Sequence, residues 1–200
     1  KTSLFQLNST PSIKENKSQI LNLIKTNDVQ NSDLWTFPEC ALHRPRTQDE
    51  SQPFNLNDTI IPWFSELAKQ HEKWILVGSF FYKQNGLKLP TNTSVLIDPT
   101  GTIKQTYDKI HLFDVSLDSL SFCESSNFTA GSKPKTATIN NFNCGFSICF
   151  DCRFPELYRI YAQQKCDIIF IPSSFTKSTG TKHWHTLCKS RAIENQAYVI

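Results

Sequence analysis

Short apolar runs that stop abruptly at proline or at a polar residue alternate in this chain with longer segments of helical period. That alternation decides the fold class. The run over residues 34–37 ends at Pro38, and that over 167–171 ends at Pro172. Residues 74–82 begin as an unbroken apolar stretch, the pattern of a strand covered on both faces. Helices are predicted over 13–25, where Ile13, Ile20, Leu21, Leu23 and Ile24 share a face, and over 62–73, where Pro62 occupies the first turn. Two more are predicted over 153–164 and 183–194. Shorter strands are expected at 4–7, 146–148 and 197–200, with a hairpin of 93–97 and 103–107 around Asp98-Pro99-Thr100-Gly101. Helices alternating with strands, plus one antiparallel hairpin, imply an α/β protein with a mixed sheet under helices.

Two hundred residues without a repeat or linker-like stretch read as one domain, residues 1–200. Lys and Arg exceed Asp and Glu by only 21 to 18, with no basic run longer than two, so nucleic acid is not an expected partner. The apolar runs are too short to cross a bilayer, so no membrane association is expected. Seven cysteines, an odd number, with no secretory signal opening the chain read as free thiols of a cytoplasmic protein. The N-x-S/T triplets at Asn8, Asn57, Asn92 and Asn127 follow from an asparagine-rich composition rather than from glycosylation.

Three residues at the ends of apolar strands face the place where α/β clefts form. Glu39 follows Phe37-Pro38, although the segment alone equally describes a solvated loop acid. Lys109 follows the second hairpin strand among Tyr107, Ile110 and Phe113; taken alone it reads as a surface lysine. Cys149 sits where a strand passes into a helix, a place that favours thiolate over the buried structural thiol that free cysteines usually are. Cys149-x-x-Cys152 lacks the second pair that structural zinc requires, and His183-x-His185 has the wrong spacing, so no metal is expected. A redox use of Cys149 and Cys152 stays open.

Taken together, the segments Phe37-Pro38-Glu39, Tyr107-Asp108-Lys109-Ile110-His111-Leu112-Phe113-Asp114 and Gly145-Phe146-Ser147-Ile148-Cys149-Phe150-Asp151 resemble, in order, the catalytic blocks of the nitrilase superfamily of carbon–nitrogen hydrolases. Arg153-Phe154-Pro155-Glu156-Leu157, Asn92-Thr93-Ser94, Glu124 with Gly131, and His183-Trp184 with Arg191-Ala192-Ile193-Glu194-Asn195-Gln196 extend the likeness to the last residue. His111-Leu112-Phe113-Asp114, Glu124 and Thr179-Gly180 are similar to the Nit branch, amidases of keto-acid ω-amides or of deaminated glutathione.

The resemblance implies an α-β-β-α sandwich with mixed sheets and a Glu39–Lys109–Cys149 triad supported by Glu124. It also implies hydrolysis of a small amide through a cysteine thioester, with no cofactor. Phe150, through its N–H, would help hold the oxyanion, and Phe175 and Thr176 would contact substrate. Lys109 and the following helix end are expected to lower the Cys149 pKa. Family members usually pair into homodimers or larger oligomers through helices near the nucleophile, and they run past this point, so the chain is expected to lack a C-terminal part. The rival reading is a non-hydrolytic redox or regulatory protein using Cys149 and Cys152, which would have no need of Glu39 or Lys109.

Overall fold

The computed structural model describes residues 1–47, 50–117 and 120–200. Its first half runs β1 (Thr2–Leu4), α1 (Ile13–Thr26), β2 (Leu34–Thr36), α2 (Ile60–His71), β3 (Trp74–Tyr82), β4 (Thr91–Ile97) and β5 (Ile103–Asp108). The five strands form one sheet in chain order, parallel from β1 to β3 and antiparallel from β3 to β5. After a two-stranded ribbon of β6 (Asp114–Leu117) and β7 (Leu120–Cys123) come β8 (Thr136–Ile139), β9 (Phe142–Phe146), α3 (Pro155–Gln163), β10 (Ile168–Phe170), α4 (Lys177–Asn195) and β11 (Tyr198–Val199). Here the sheet order is β11-β10-β9-β8, with only β8 antiparallel to its neighbour.

Period-two alternation sends neighbouring side chains of one strand into different cores. Ile75 and Val77 of β3, with Val95 and Ile97 of β4, meet Ile20 and Ile24 of α1 and Phe64 and Leu67 of α2. Leu76 and Leu96, between them in sequence, point the other way and meet Phe146 of β9 and Phe170 of β10. Beyond β10, Ile169 joins Leu157, Tyr158 and Tyr161 of α3, with Trp184 and Leu187 of α4 packed alongside. Three successive cores therefore separate helix, sheet, sheet and helix layers, the sandwich that the resemblance implied.

Local chemistry accounts for most boundaries. Ser12 caps α1, its hydroxyl accepting from the Glu15 N–H at 3.3 Å. Glu72, in the left-handed region, closes α2. The strand expected at 146–148 instead spans Phe142–Phe146 and pairs with β8 around Asn140-Asn141, where Asn140 adopts φ +53°. The strand expected at 4–7 lies at Thr2–Leu4. The helix expected from 183 begins at Lys177, because Thr176 accepts the Thr179 N–H and starts it across Ser178-Thr179-Gly180-Thr181, residues of weak helix propensity. The helix expected from 153 begins at Pro155, after a separate 3₁₀ turn over Cys149–Arg153. Among the described residues no helix is long and apolar enough to cross a membrane.

One close approach fixes where β2 delivers its end. A Cβ on Gly78 would stand 2.1 Å from both the Phe37 and Pro38 carbonyl oxygens, backbone atoms that cannot swing aside. Gly78→Ala is therefore expected to destabilise the fold by about 3 kcal/mol or more, at the upper end of overpacking costs. A thermal unfolding midpoint within a degree of the parent would show that this approach is not tight.

Candidate active site

Glu39, Lys109, Glu124 and Cys149, 110 positions apart in sequence, meet in one cavity of about 220 Å³ between the ends of the two sheets. Each arrives by a separate local device. Pro38 ends the path of β2, and Cys40 turns the chain at φ +57° with its N–H on Ser79 Oγ at 3.1 Å. This presents Glu39 inward, where its Oε2 accepts the Ser174 N–H at 2.9 Å from the segment after β10. Lys109 extends β5 by one step, its N–H on the Asn92 carbonyl at 2.9 Å. Glu124 opens a 3₁₀ turn after the ribbon and accepts the Phe113 N–H on Oε2 at 2.6 Å.

The Lys109 ammonium stands 3.2 Å from Glu39 Oε1 and 2.9 Å from Glu124 Oε2, with all three side chains almost wholly buried. Asn92 donates through Nδ2 to Glu39 Oε1 at 2.9 Å and to Glu124 Oε1 at 3.4 Å, so one amide braces both carboxylates. Burial works against the charge on Lys109, but Glu39 foremost, with Cys149 and Glu124, outweighs it and raises the ammonium above its usual value. Burial likewise works to raise Glu39. The Lys109 charge, with hydrogen bonds from Cys149, Asn92 and Lys109, prevails and holds this carboxyl below its usual range.

Cys149 occupies the left-handed region at φ +49°, a sparsely populated conformation for a side-chain-bearing residue. The surrounding hydrogen bonds over-determine this corner. Cys149 N–H donates to the Pro172 carbonyl at 3.0 Å, and Ile148 N–H to Asp151 Oδ2 at 2.9 Å. Asp151 is fully buried and also accepts from Tyr107 Oη at 2.7 Å and from the His111 N–H at 2.9 Å. His111 Nδ1 reaches the same carboxylate at 2.8 Å while its ring stacks on Phe154. Asp151 thus ties the Cys149 turn to the end of β5, which leads into Lys109. Its role and that of Asn92 were carried by motif residues without any assignment from sequence.

The state of the thiol differs from the sequence expectation. Helix α3 starts six residues beyond Cys149, after the 3₁₀ turn that Cys149 itself opens. Burial, and then the Glu39 carboxylate, push the Cys149 thiol well above its usual value, with Lys109 opposing them. Both influences favour the protonated thiol over the thiolate.

Phe150, Phe175 and Thr176 line the same cavity. Phe175 packs its ring on Trp184 and faces the Arg153 guanidinium, whereas Thr176 also spends its hydroxyl on the cap of α4. Cys152 is fully buried in the core beneath α3 and α4, alongside Cys188, while Cys149 packs towards the core between the sheets. All seven cysteines are free thiols.

Comparison with known proteins agrees with this geometry. The carbon–nitrogen hydrolase family model matches residues 1–200. A deaminated glutathione amidase of Synechocystis is 36% identical over 201 residues, spanning 98% of this chain and 74% of that protein. A 2-oxoglutaramate amidase of Paenarthrobacter nicotinovorans is 32% identical, spanning 98% of this chain and 66% of its own length. The crystal structure of the C. elegans NitFhit protein superposes with a TM-score of 0.89 at 29% identity, covering all of this chain and 50% of that one. The chain belongs to the carbon–nitrogen hydrolase family, within the nitrilase superfamily, and is an enzyme of the amidase kind.

Proposed function

We propose that this chain hydrolyses a small amide through a thioester on Cys149, the ω-amide of a keto acid giving the acid and ammonia, or deaminated glutathione giving the acid and an amine. The observation that carries the reading is the buried Glu39–Lys109–Glu124 arrangement against the Cys149 thiol. Amide cleavage needs a nucleophile, a group that carries a proton from nucleophile to leaving nitrogen, and positive charge where the oxyanion forms. Sγ attacks the carbonyl carbon as its proton passes to Glu39. The oxyanion develops beside Lys109 and the Phe150 N–H. As the C–N bond breaks, Glu39 returns the proton and ammonia, or the amine, leaves. Water then attacks the thioester, Glu39 takes its proton, and collapse expels the Cys149 sulfur, which regains that proton as the acid departs. Glu124 keeps Lys109 aimed and charged throughout.

Relatives named for deaminated glutathione and for 2-oxoglutaramate support the substrate class. Both named compounds pair an amide bond with carboxylate, and the cavity carries Arg44 and Arg153 as well as Lys109. A screen for ammonia or amine release over such amides tests the reading. Cys149→Ala is expected to abolish release, while Cys144→Ala and Cys166→Ala retain most of it, since both sit in cores away from the cavity. Near-parent turnover by Cys149→Ala would sink the mechanism.

The two carboxylates are expected to separate. Glu39→Gln cannot move protons and should lower turnover about a hundredfold or more. Glu124→Gln keeps hydrogen-bonding atoms beside Lys109 and should retain more activity; equal, mild losses in both would contradict the division of roles.

A further expectation concerns pH. The Glu39 charge raises the thiol pKa, so removing that charge lowers it. Iodoacetamide labelling of the Cys149 peptide is therefore expected to reach half-maximal rate at lower pH in Glu39→Gln than in the parent. An unchanged or higher midpoint would mean that the carboxylate does not govern the thiol.

A further inference from the structure

Two carboxylates around one ammonium leave the reacting centre with a formal charge of −1 while Cys149 is a thiol. An anionic amide would be repelled from such a centre unless the cavity wall offset that charge. The remaining charged residues among those described on the wall are Arg44 and Arg153, set among aromatic rings. Arg153 is already engaged: Nη2 donates to His183 Nδ1 at 3.1 Å, and the guanidinium lies against Phe150 and Phe175. Arg44 differs. Among the described residues its guanidinium has no hydrogen bond or ion pair, although it is close enough to Cys40, the neighbour of Glu39, to act on that thiol's charge.

The backbone that presents Arg44 is fixed. Its N–H donates to the Thr10 carbonyl at 3.0 Å, and both ring nitrogens of the preceding His43 face backbone carbonyls, Pro11 at 2.8 Å and Glu50 at 3.0 Å. His43 is itself buried against Phe54. A half-buried guanidinium on an anchored strap, lining the cavity and unpartnered among the described residues, is a fork for a planar anion.

We propose that Arg44 is the specificity-determining residue of this chain, binding the carboxylate at the far end of the substrate while the amide lies at Cys149. The inference rests on the amidase reading and deepens it.

The test compares two amides of one length: 4-amino-4-oxobutanoate, whose far end is a carboxylate, and butanamide, whose far end is a methyl. The ratio of their kcat/KM values is internal to each protein, so a smaller correctly folded fraction cancels. The parent is expected to favour the anionic amide, and Arg44→Met to shrink the ratio roughly 10- to 100-fold, the range for a lost charge-assisted hydrogen bond. The change should fall mainly in KM for the anionic amide. Arg44→Lys, a point charge without the fork, should restore part of the preference, and Arg44→Glu should favour 4-aminobutanamide over 4-amino-4-oxobutanoate. Equal ratios in parent and Arg44→Met, with ammonia released from both amides, would overturn the Arg44 assignment and leave the amidase reading intact. No ammonia or amine from any amide in the parent, deaminated glutathione included, would overturn both.

Discussion

The burial of Lys109 between Glu39 and Glu124 is the constraint around which the rest of this structure is arranged. Removing an ammonium and two carboxylates from water costs several kcal/mol per ion after relaxation, and their attraction offsets it only where the geometry is good and the spare lone pairs are used. Here they are used. Glu39 takes the Ser174 N–H and Asn92 Nδ2 as well as Lys109, and Glu124 takes the Phe113 N–H as well as Lys109 and Asn92. Ser174 follows a strand of the second sheet, whereas Lys109 and Asn92 belong to the first. The charged cluster is therefore a joint between the sheets, and a shift of one sheet against the other would strand a buried charge.

The same requirement explains the irregular backbone around the site. Cys40 and Cys149 both take positive φ, at +57° and +49°, next to or at the reacting groups. Such conformations cost of order 1–3 kcal/mol each and persist only where neighbours enforce them. Ser79 and the contact of Gly78 with Phe37 and Pro38 enforce the first corner. Asp151 and the Pro172 carbonyl enforce the second. Regular strands bring the residues near one another; strained corners turn them inward.

Strand ends were legible because Pro38 and Pro172 terminate apolar runs, and these ends lead to Glu39 and to Ser174. Helices α1 and α2 were legible from their apolar faces. The start of α4 was not, since Ser178, Thr179, Gly180 and Thr181 argue for a loop and only the Thr176 cap and the tertiary contacts of Phe175 with Trp184 override them. The pair β8–β9 was missed for a similar reason: Asn140-Asn141 is a turn of two, but the flanking residues are too mixed to advertise strands. Within the site, the three blocks read in order pointed to Glu39, Lys109 and Cys149, and the wider likeness added Glu124; all four line one cavity. Asn92 and Asp151 escaped assignment because an amide shared by two carboxylates, or a carboxylate accepting from four donors, is a property of three-dimensional convergence that no local spacing encodes.

The direction of the Cys149 shift changes how the proposed chemistry is best understood. A thiol depressed by a helix end would exist as thiolate at rest and would need no base for attack. Cys149 is instead neutral beside a carboxylate held in its charged form, so moving the proton from sulfur to Glu39 is unfavourable in the resting enzyme. It becomes favourable only as the new C–S bond spends the sulfur's charge and the oxyanion gathers by Lys109. The barrier is thus lowered where a carbonyl is seated and stays high where none is, which is the differential stabilisation that catalysis requires. In the proposed reaction a raised thiol pKa and a paired carboxylate are therefore two halves of one device, and the buried lysine that holds the carboxylate charged stands where the oxyanion would form.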